Sequence, residues 1–269
     1  MSSSDATPAA APPRIAVYER RVAASLNRVW ENVRDWEHLP WLHHESFRSI
    51  ECRDQGDWGW LARVGLHPAG EIELELRLDG PAGHYVARTR EGPGSGTEIW
   101  TTVRAADDDH TDIEVGFHVP GIENAETAGA AFVQLYERLW DQDEAMMRLR
   151  THELARLRQR RQAPESPREL GPLAELRARL PLALDWGRER FRIVEIDGEV
   201  LVHGALCPHW RGPLDTAPVR GGCIRCPWHG YRFDVRTGTS ADGRGLRLAT
   251  PPTLEIDDSG HARLIPRRS

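Results

Sequence analysis

Lysine is absent from this 269-residue chain, and positive charge is in the minority. All 35 basic side chains are arginines, against 41 acidic ones, and the net charge at pH 7 is −6. We interpret the absence of lysine as a bias of genome composition. Nucleic-acid binding depends on clustered positive charge, so we expect no nucleic-acid partner.

Long apolar runs are also missing. No stretch approaches the roughly 18 to 20 apolar residues of a membrane-spanning helix, and residues 1–13 have neither the basic start nor the apolar core of a signal peptide. The chain has four cysteines, Cys52, Cys207, Cys223 and Cys226. They are too few and too unevenly spaced for a disulfide scaffold. We therefore expect a cytoplasmic protein with no membrane segment.

Composition divides the chain into a tail, two domains and a linker. Residues 1–13 are rich in Ser, Ala and Pro and are predicted to be disordered. Residues 161–172 pass from a charged helix end into a segment punctuated by Pro and Gly, which is typical of a domain boundary. The predicted domains are 14–160 and 173–269. We expect the second to be all-β, because its apolar segments are short and separated by turn signals.

The first domain has an informative order of elements. A strand over residues 14–22 precedes a helix from 26 to about 38, which Pro40 ends. Six segments of alternating or β-rich composition follow, and a long helix is predicted over about 125–159. This order resembles the helix-grip fold of START-like and birch-pollen-allergen-like domains. The resemblance implies an α+β fold, with a curved antiparallel sheet around the long C-terminal helix and an apolar cavity.

The second domain carries two short Cys/His pairs. One residue separates Cys207 from His209, and two separate Cys226 from His229. Two thiolates and two imidazoles suit zinc or an iron–sulfur cluster, and a C-x-H loop with a C-x-x-H loop is the pattern of a Rieske centre. The segments LCPHWRGPL and CIRCPWHGYRFDVRTG resemble the cluster loops of Rieske ferredoxins and Rieske oxygenases. The resemblance implies a Rieske [2Fe-2S] cluster, with both cysteines on the inner iron and both histidines on the outer iron.

A second metal motif lies in and after the first predicted helix. Residues 31–43 fit the spacing E-x3-D-x2-H-x4-H, which includes Asp35, His38 and His43. The ordinary interpretation is that Glu31, Asp35 and His38 form a solvated polar face of the helix. The spacing also resembles the mononuclear-iron motif of Rieske oxygenase catalytic domains, which likewise have a helix-grip fold. That resemblance implies His38 and His43 as iron ligands and Asp35 as the carboxylate bridging this site to a neighbouring Rieske histidine. His44 is an alternative to His43, because adjacent histidines leave the register open.

Such a site needs one further carboxylate to complete a facial triad. On the long helix, Asp143 falls in the middle of an apolar stripe, and burying an unpaired charge is very costly. The segment WDQDEAMMRLR resembles the closing-helix stretch that carries the third ligand in Rieske oxygenases. We therefore predict that Asp143 is the third ligand of a mononuclear Fe(II). The alternative is a buried ion pair between Asp143 and Arg150 on the same stripe.

These motifs favour a Rieske-type non-haem iron oxygenase that oxidises a small apolar or aromatic substrate with O2. No flavin or nicotinamide fingerprint is evident, so we expect a separate NAD(P)H-dependent reductase or ferredoxin to supply electrons. The two domains stand in the reverse of the usual oxygenase order. We therefore expect electrons to come from the Rieske domain of a neighbouring subunit, which implies a homo-oligomer.

Two other functions remain open at this stage. The first is an electron carrier or redox sensor, in which a Rieske ferredoxin-like domain is joined to a non-catalytic, ligand-binding helix-grip domain. The second is an iron-free cyclase or lyase activity of the first domain.

The chain lacks the features that raise Rieske potentials in cytochrome complexes. Those proteins have a disulfide between the loops where this chain has Gly212 and Trp228, and Ser and Tyr hydroxyl donors where it has Tyr231 and Phe233. Fewer hydrogen bonds leave the reduced cluster less stabilised, so we predict a midpoint toward the low end of the roughly −150 to +300 mV range. A redox titration followed by EPR measures it, and a clearly positive midpoint would contradict the prediction.

Overall fold

The computed structural model describes residues 12–68, 70–159 and 166–266. Contacts within the chain divide it into two compact units, and the division falls between Arg148 and Leu149. Residues 1–11 of the predicted disordered tail and residues 160–165, which include the start of the predicted linker, lie outside the described residues. The disorder and linker assignments therefore stay predictions there.

Among the described residues, the N-terminal unit forms one seven-stranded sheet and three helices. Its elements are β1 (Arg14–Val22), α1 (Leu26–Arg34), α2 (Leu39–Leu42), β2 (Phe47–Gly56), β3 (Gly59–Leu66), β4 (Glu71–Asp79), β5 (His84–Glu91), β6 (Glu98–Ala105), β7 (Thr111–His118) and α3 (Ala125–Arg158), which ends in the second unit. The strand order is β1-β7-β6-β5-β4-β3-β2, and all neighbouring pairs are antiparallel. The predicted order of elements and the α+β helix-grip fold class are confirmed.

The core of this unit lies between the sheet and α3. Strand side chains alternate between the two faces, so Ile113 and Val115 of β7 are buried whereas Glu114 between them is exposed. From α3, Trp140 and Met147 join the same core. No helix in the described segments has both the length and the apolar content that crossing a membrane requires.

The first predicted helix ends earlier than the sequence pattern indicates. Instead of continuing to about His38, α1 ends at Arg34, and Asp35 has an extended backbone with φ −86° and ψ 101°. Oδ1 of Asp35 accepts a hydrogen bond from the backbone N–H of Glu37 at 3.1 Å. An aspartate that bonds two residues ahead competes with helix continuation. The boundary prediction was wrong for this reason, and His38 lies in the turn between the helices rather than on the face of α1.

The second unit is built from short strands, as predicted. Its elements after α3 are β8 (Arg168–Pro172), α4 (Leu173–Ala178), β9 (Leu182–Trp186), β10 (Glu189–Ile196), β11 (Glu199–Gly204), β12 (Val219–Arg220), β13 (Cys223–Arg225), β14 (Arg232–Asp234), β15 (Thr253–Ile256) and β16 (His261–Ile265). Within residues 166–266 they form three sheets of three strands each, ordered β11-β10-β9, β12-β13-β14 and β15-β16-β8. Apart from the short helix α4, this part is all-β.

The start of α3 lies close against β1 at Gly129. A Cβ atom at this position would be 3.0 Å from the Cβ of Ala16 and 3.0 Å from the carbonyl oxygen of Ile15. Both distances are shorter than ordinary van der Waals contact. The absence of a side chain therefore allows the helix to approach the edge strand.

Gly129→Val should destabilise the N-terminal unit, because the added branches have no space against β1. We expect a loss of about 1–3 kcal/mol, typical of overpacking. Ala130→Val, at an exposed neighbouring position, is the matched control and should cost only the difference in helix propensity, at most about 0.7 kcal/mol. Urea unfolding followed by tryptophan fluorescence measures both. Equal unfolding midpoints for the two variants would contradict the close approach.

Two candidate metal centres

Three buried side chains from distant parts of the chain converge in the N-terminal unit. His38 precedes α2, His43 follows it, and Asp143 lies on α3. One possible ligand atom of each lies within 4.8 Å of the other two. Oδ1 of Asp143 is 3.1 Å from Nε2 of His43 and 3.5 Å from Nε2 of His38. The exposed fractions are only 3%, 2% and 8% for His38, His43 and Asp143, so these groups face one another in the interior.

The other ring nitrogen of each imidazole faces an acceptor. Nδ1 of His43 donates to Oε1 of Gln142 at 2.7 Å, and Nδ1 of His38 lies 3.3 Å from Oδ2 of Asp35. With a proton kept on Nδ1, a metal that replaced the proton on Nε2 would bind the Nε2 lone pair, and the partner of Nδ1 would orient the ring. Asp35, predicted as a bridging carboxylate, therefore lies beside His38 and can fix the tautomer of that ring.

The imidazoles stabilise the buried carboxylate electrostatically. Burial alone would lower the pKa of His43, but the charge of Asp143 and hydrogen bonds to Asp143 and Gln142 outweigh it, and this pKa is raised. Burial alone would raise the pKa of Asp143, yet His43, His38 and a hydrogen bond from the Asn32 amide lower it. Asp143 is thus an ionised carboxylate that interacts with three polar groups rather than an unpaired buried charge.

The donor set fits a divalent transition metal. Two imidazole nitrogens and one carboxylate oxygen make up the 2-His-1-carboxylate triad of non-haem Fe(II) sites. Oδ1 of Asp143 lies 3.1 and 3.5 Å from the two Nε2 atoms, so His38, His43 and Asp143 are the residues that would hold such a metal.

The surroundings of the alternative residues differ from those of the triad. His44 is exposed, whereas Nε2 of its neighbour His43 lies 3.1 Å from Oδ1 of Asp143, so of the two adjacent histidines His43 is the one beside Asp143. The interpretation of a solvated polar face is wrong for His38, since this residue is buried. Arg150, the alternative partner of Asp143, has its guanidinium carbon 4.4 Å from the ring centroid of Trp210.

A cavity of about 130 Å³ adjoins the triad. Apolar and aromatic side chains make up most of its wall, among them Val33, Trp60, Leu74, Leu76, Tyr85 and Tyr136. Asn32 lines the same cavity, is 4% exposed and bonds to Asp143. Sequence reasoning missed Asn32 and Gln142. The only available signal for Asn32 was an amide among the apolar positions 29 and 33 of α1.

The four predicted cluster residues lie together in the second unit. We name residues 207–212 the first cluster loop and 226–231 the second. Both loops have the same hydrogen bonds: each cysteine N–H donates to the carbonyl five residues ahead (2.9 and 2.8 Å), and each cysteine carbonyl accepts from the N–H four residues ahead (2.8 and 2.9 Å). The imidazole centroids of His209 and His229 are 4.5 Å apart, and Nδ1 of each ring is buried.

Cys207 and Cys226 are free thiols, not a disulfide, and both are fully buried. A hydrogen bond joins their two side chains. The hydrogen bond to Cys207 outweighs burial and, with donors from His229 and the backbone, lowers the pKa of Cys226. The same mutual bond, together with burial, raises the pKa of Cys207. Backbone N–H groups of the two loops also point at both sulfurs. Such donors stabilise the negative charge that thiolate ligands bring to a cluster.

Close packing around the sulfurs also fits a cluster. A Cβ on Gly212 would be 2.8 Å from Sγ of Cys226 and 3.0 Å from the ring of Trp228, so the first loop needs glycine there. With buried thiols and paired imidazoles, the residues present suit a Rieske [2Fe-2S] group.

Aromatic rings and guanidinium groups flank the histidines of the loops. His209 stacks on Tyr231 with centroids 4.7 Å apart, and on its other neighbour, Trp210, at 5.8 Å. The guanidinium carbon of Arg244 lies 3.9 Å from the Tyr231 ring centroid. Sequence reasoning did not identify this arrangement, because residue 244 lies beyond the motif.

Comparisons with known proteins support the assignment of the second centre as a Rieske cluster site. Residues 167–252 match the Rieske [2Fe-2S] domain family. Apoptosis-inducing factor 3 of Mus musculus is 40% identical over 63 residues, 23% of this chain and 10% of that protein. The anthranilate 1,2-dioxygenase ferredoxin subunit of Burkholderia cepacia is 32% identical over 69 residues, 26% of this chain and 64% of that subunit. The matched segments therefore cover only 10% of the length of the first relative and 64% of the length of the second.

Solved structures similar to the chain include the Zhui aromatase/cyclase from Streptomyces sp. R1128. It is 18% identical, with a TM-score of 0.40, and the similarity covers 51% of this chain and 94% of the cyclase chain.

Together, the family match and the loop geometry identify the C-terminal unit as a Rieske [2Fe-2S] domain with an electron-transfer role.

Gly212→Ala should reduce cluster incorporation, because the added methyl group would lie within contact distance of Sγ of Cys226. We expect lower acid-labile sulfide and a weaker Rieske EPR signal per chain. Gly80→Ala is the matched control, since a Cβ there meets nothing within 4 Å. Iron and sulfide analysis of the purified variants measures both, and equal cluster content would contradict the packing argument.

Proposed function

We propose that the chain is a Rieske-type non-haem iron oxygenase. It uses its Rieske [2Fe-2S] domain and a mononuclear Fe(II) held by His38, His43 and Asp143 to oxidise a small apolar substrate with O2. The observation that carries the proposal is the buried triad, whose ligand atoms lie within 4.8 Å of one another at the wall of a cavity.

The two groups have complementary chemistry: when bound, the cluster supplies single electrons and Fe(II) supplies the activation of O2. The protein contributes position and environment. Gln142 accepts a hydrogen bond from Nδ1 of His43, and Oδ2 of Asp35 lies 3.3 Å from Nδ1 of His38, which favours the ring orientation that directs Nε2 at Asp143. The apolar wall of the cavity excludes water from the reacting centre and accepts an apolar substrate.

The electron-transfer role implies partners. A ferredoxin subunit of a dioxygenase system is among the relatives of the Rieske domain. We propose that a separate NAD(P)H-dependent reductase, or a ferredoxin, reduces this domain, and that the protein works as a homo-oligomer.

Metal counting tests the mononuclear site. The reconstituted protein should contain about three irons per two sulfides, against two irons per two sulfides for a cluster alone. His43→Ala and Asp143→Ala should each remove one iron and leave the EPR spectrum of the cluster unchanged, because the triad and the cluster loops are formed by different residues. His44→Ala, at the exposed neighbouring histidine, is the matched control and should retain all three.

The same experiment decides between the proposal and its main alternative. An electron carrier or redox sensor with a non-catalytic ligand-binding domain is favoured by the ferredoxin components among the relatives. Two irons per two sulfides in the unaltered protein, with no further iron on anaerobic Fe(II) titration, would favour the carrier. Reductase-dependent O2 uptake with candidate aromatic compounds would favour the oxygenase.

A further inference from the structure

We infer that Asn32 makes the cavity selective for ligands that carry a hydrogen-bond donor on a single ring, namely neutral phenols and anilines. The inference names a substrate class for the proposed oxygenase and rests on that function for the reaction. Ligand binding itself requires only the cavity and the side chain of Asn32.

The position of Asp143 defines the orientation of the Asn32 amide. The Asn32 side chain interacts with Asp143, whereas its Oδ1 atom has no hydrogen-bond partner within the described residues. The NH2 group is therefore the side of the amide that faces Asp143, and Oδ1 lies on the other side.

Oδ1 of Asn32 is a buried acceptor with no hydrogen-bond partner among residues 12–68, 70–159 and 166–266. The residue is 4% exposed and lines the cavity. Buried acceptors are normally satisfied, and an unsatisfied one often marks a functional position. A ligand that donates to Oδ1 replaces the hydrogen bond that the protein does not supply, whereas an apolar ligand of the same shape leaves it unmade.

The size and wall of the cavity determine the rest of the ligand. Its volume is about 130 Å³, and an engineered apolar cavity of about 150 Å³ in another protein holds one benzene molecule. Trp60, Leu74 and Leu76 provide an apolar surface for a ring. A single six-membered ring with one small polar substituent fits this space.

The lining of the cavity favours a neutral ligand. Moving an ionised group from water into an apolar site is costly unless an opposite charge pairs with it. Among the described residues, the lining includes the acidic residues Asp35 and Asp143 and no arginine. Benzoate-like or phenolate ligands should therefore bind less well than a neutral phenol or aniline.

The test compares ligands that differ only in the donor. Phenol, aniline, toluene and anisole are titrated into the full-length, cluster-loaded protein without added Fe(II), and binding is followed by calorimetry. Phenol and aniline should bind at least about tenfold tighter than toluene and anisole, the effect expected from satisfying one buried acceptor. This series needs no variant, and equal affinities across it would overturn the inference.

Variants then assign the preference to one residue. Asn32→Leu should abolish the preference for phenol over toluene while toluene still binds. Asn27→Leu, at an exposed position on the same helix, should leave the preference unchanged. If Asn32→Leu keeps the preference in a folded protein, the assignment fails. A preference for ligands with a donor, in a protein that binds no third iron, would support this inference and contradict the oxygenase proposal. A third iron in a protein without that preference would support the oxygenase proposal and contradict this inference.

Discussion

One buried carboxylate organises the N-terminal unit. Asp143 lies on the apolar face of α3, where an isolated charge would be strongly destabilising. His38, His43 and Asn32 surround it with polar contacts. The two histidines that stabilise the carboxylate also place an imidazole nitrogen each beside its oxygen, so that two nitrogens and one oxygen lie close together. In such a cluster, the requirement for stability and the requirement for metal binding select the same residue types.

At both candidate centres, neighbouring hydrogen-bonding groups contact the side chains that would bind metal. In the Rieske domain, backbone N–H groups of the two cluster loops direct hydrogen bonds at the cysteine sulfurs. In the N-terminal unit, Gln142 and Asp35 take the Nδ1 side of the histidines. A side chain that is already held in place loses less conformational freedom when it binds a metal, so these partners would support metal binding without touching the metal. Residues that act in this way carry no motif of their own.

The sequence predicted what depends on periodicity and spacing. The order of strands and helices follows from alternation and helical repeats, and Cys207, His209, Cys226 and His229 follow from two short loops. What it could not predict depends on local competition and packing. The end of α1 is decided by a hydrogen bond from Glu37 to Asp35. The choice between His43 and His44 is decided by which ring the short helix α2 turns inward, and Asn32 is defined only by its neighbours in space.

The boundary between the two units does not coincide with the change in composition. The composition changes at residues 161–172, but the contacts change earlier, within α3. Glu153 near the end of α3 is 1% exposed and pairs with Arg156 at 3.2 Å and with Arg211 of the first cluster loop at 3.9 Å. A buried acid that is left without its arginines is strongly destabilising. The last turns of α3 are therefore part of the packing of the Rieske unit, because removing them would leave Arg211 beside a cluster ligand without one of its acidic partners.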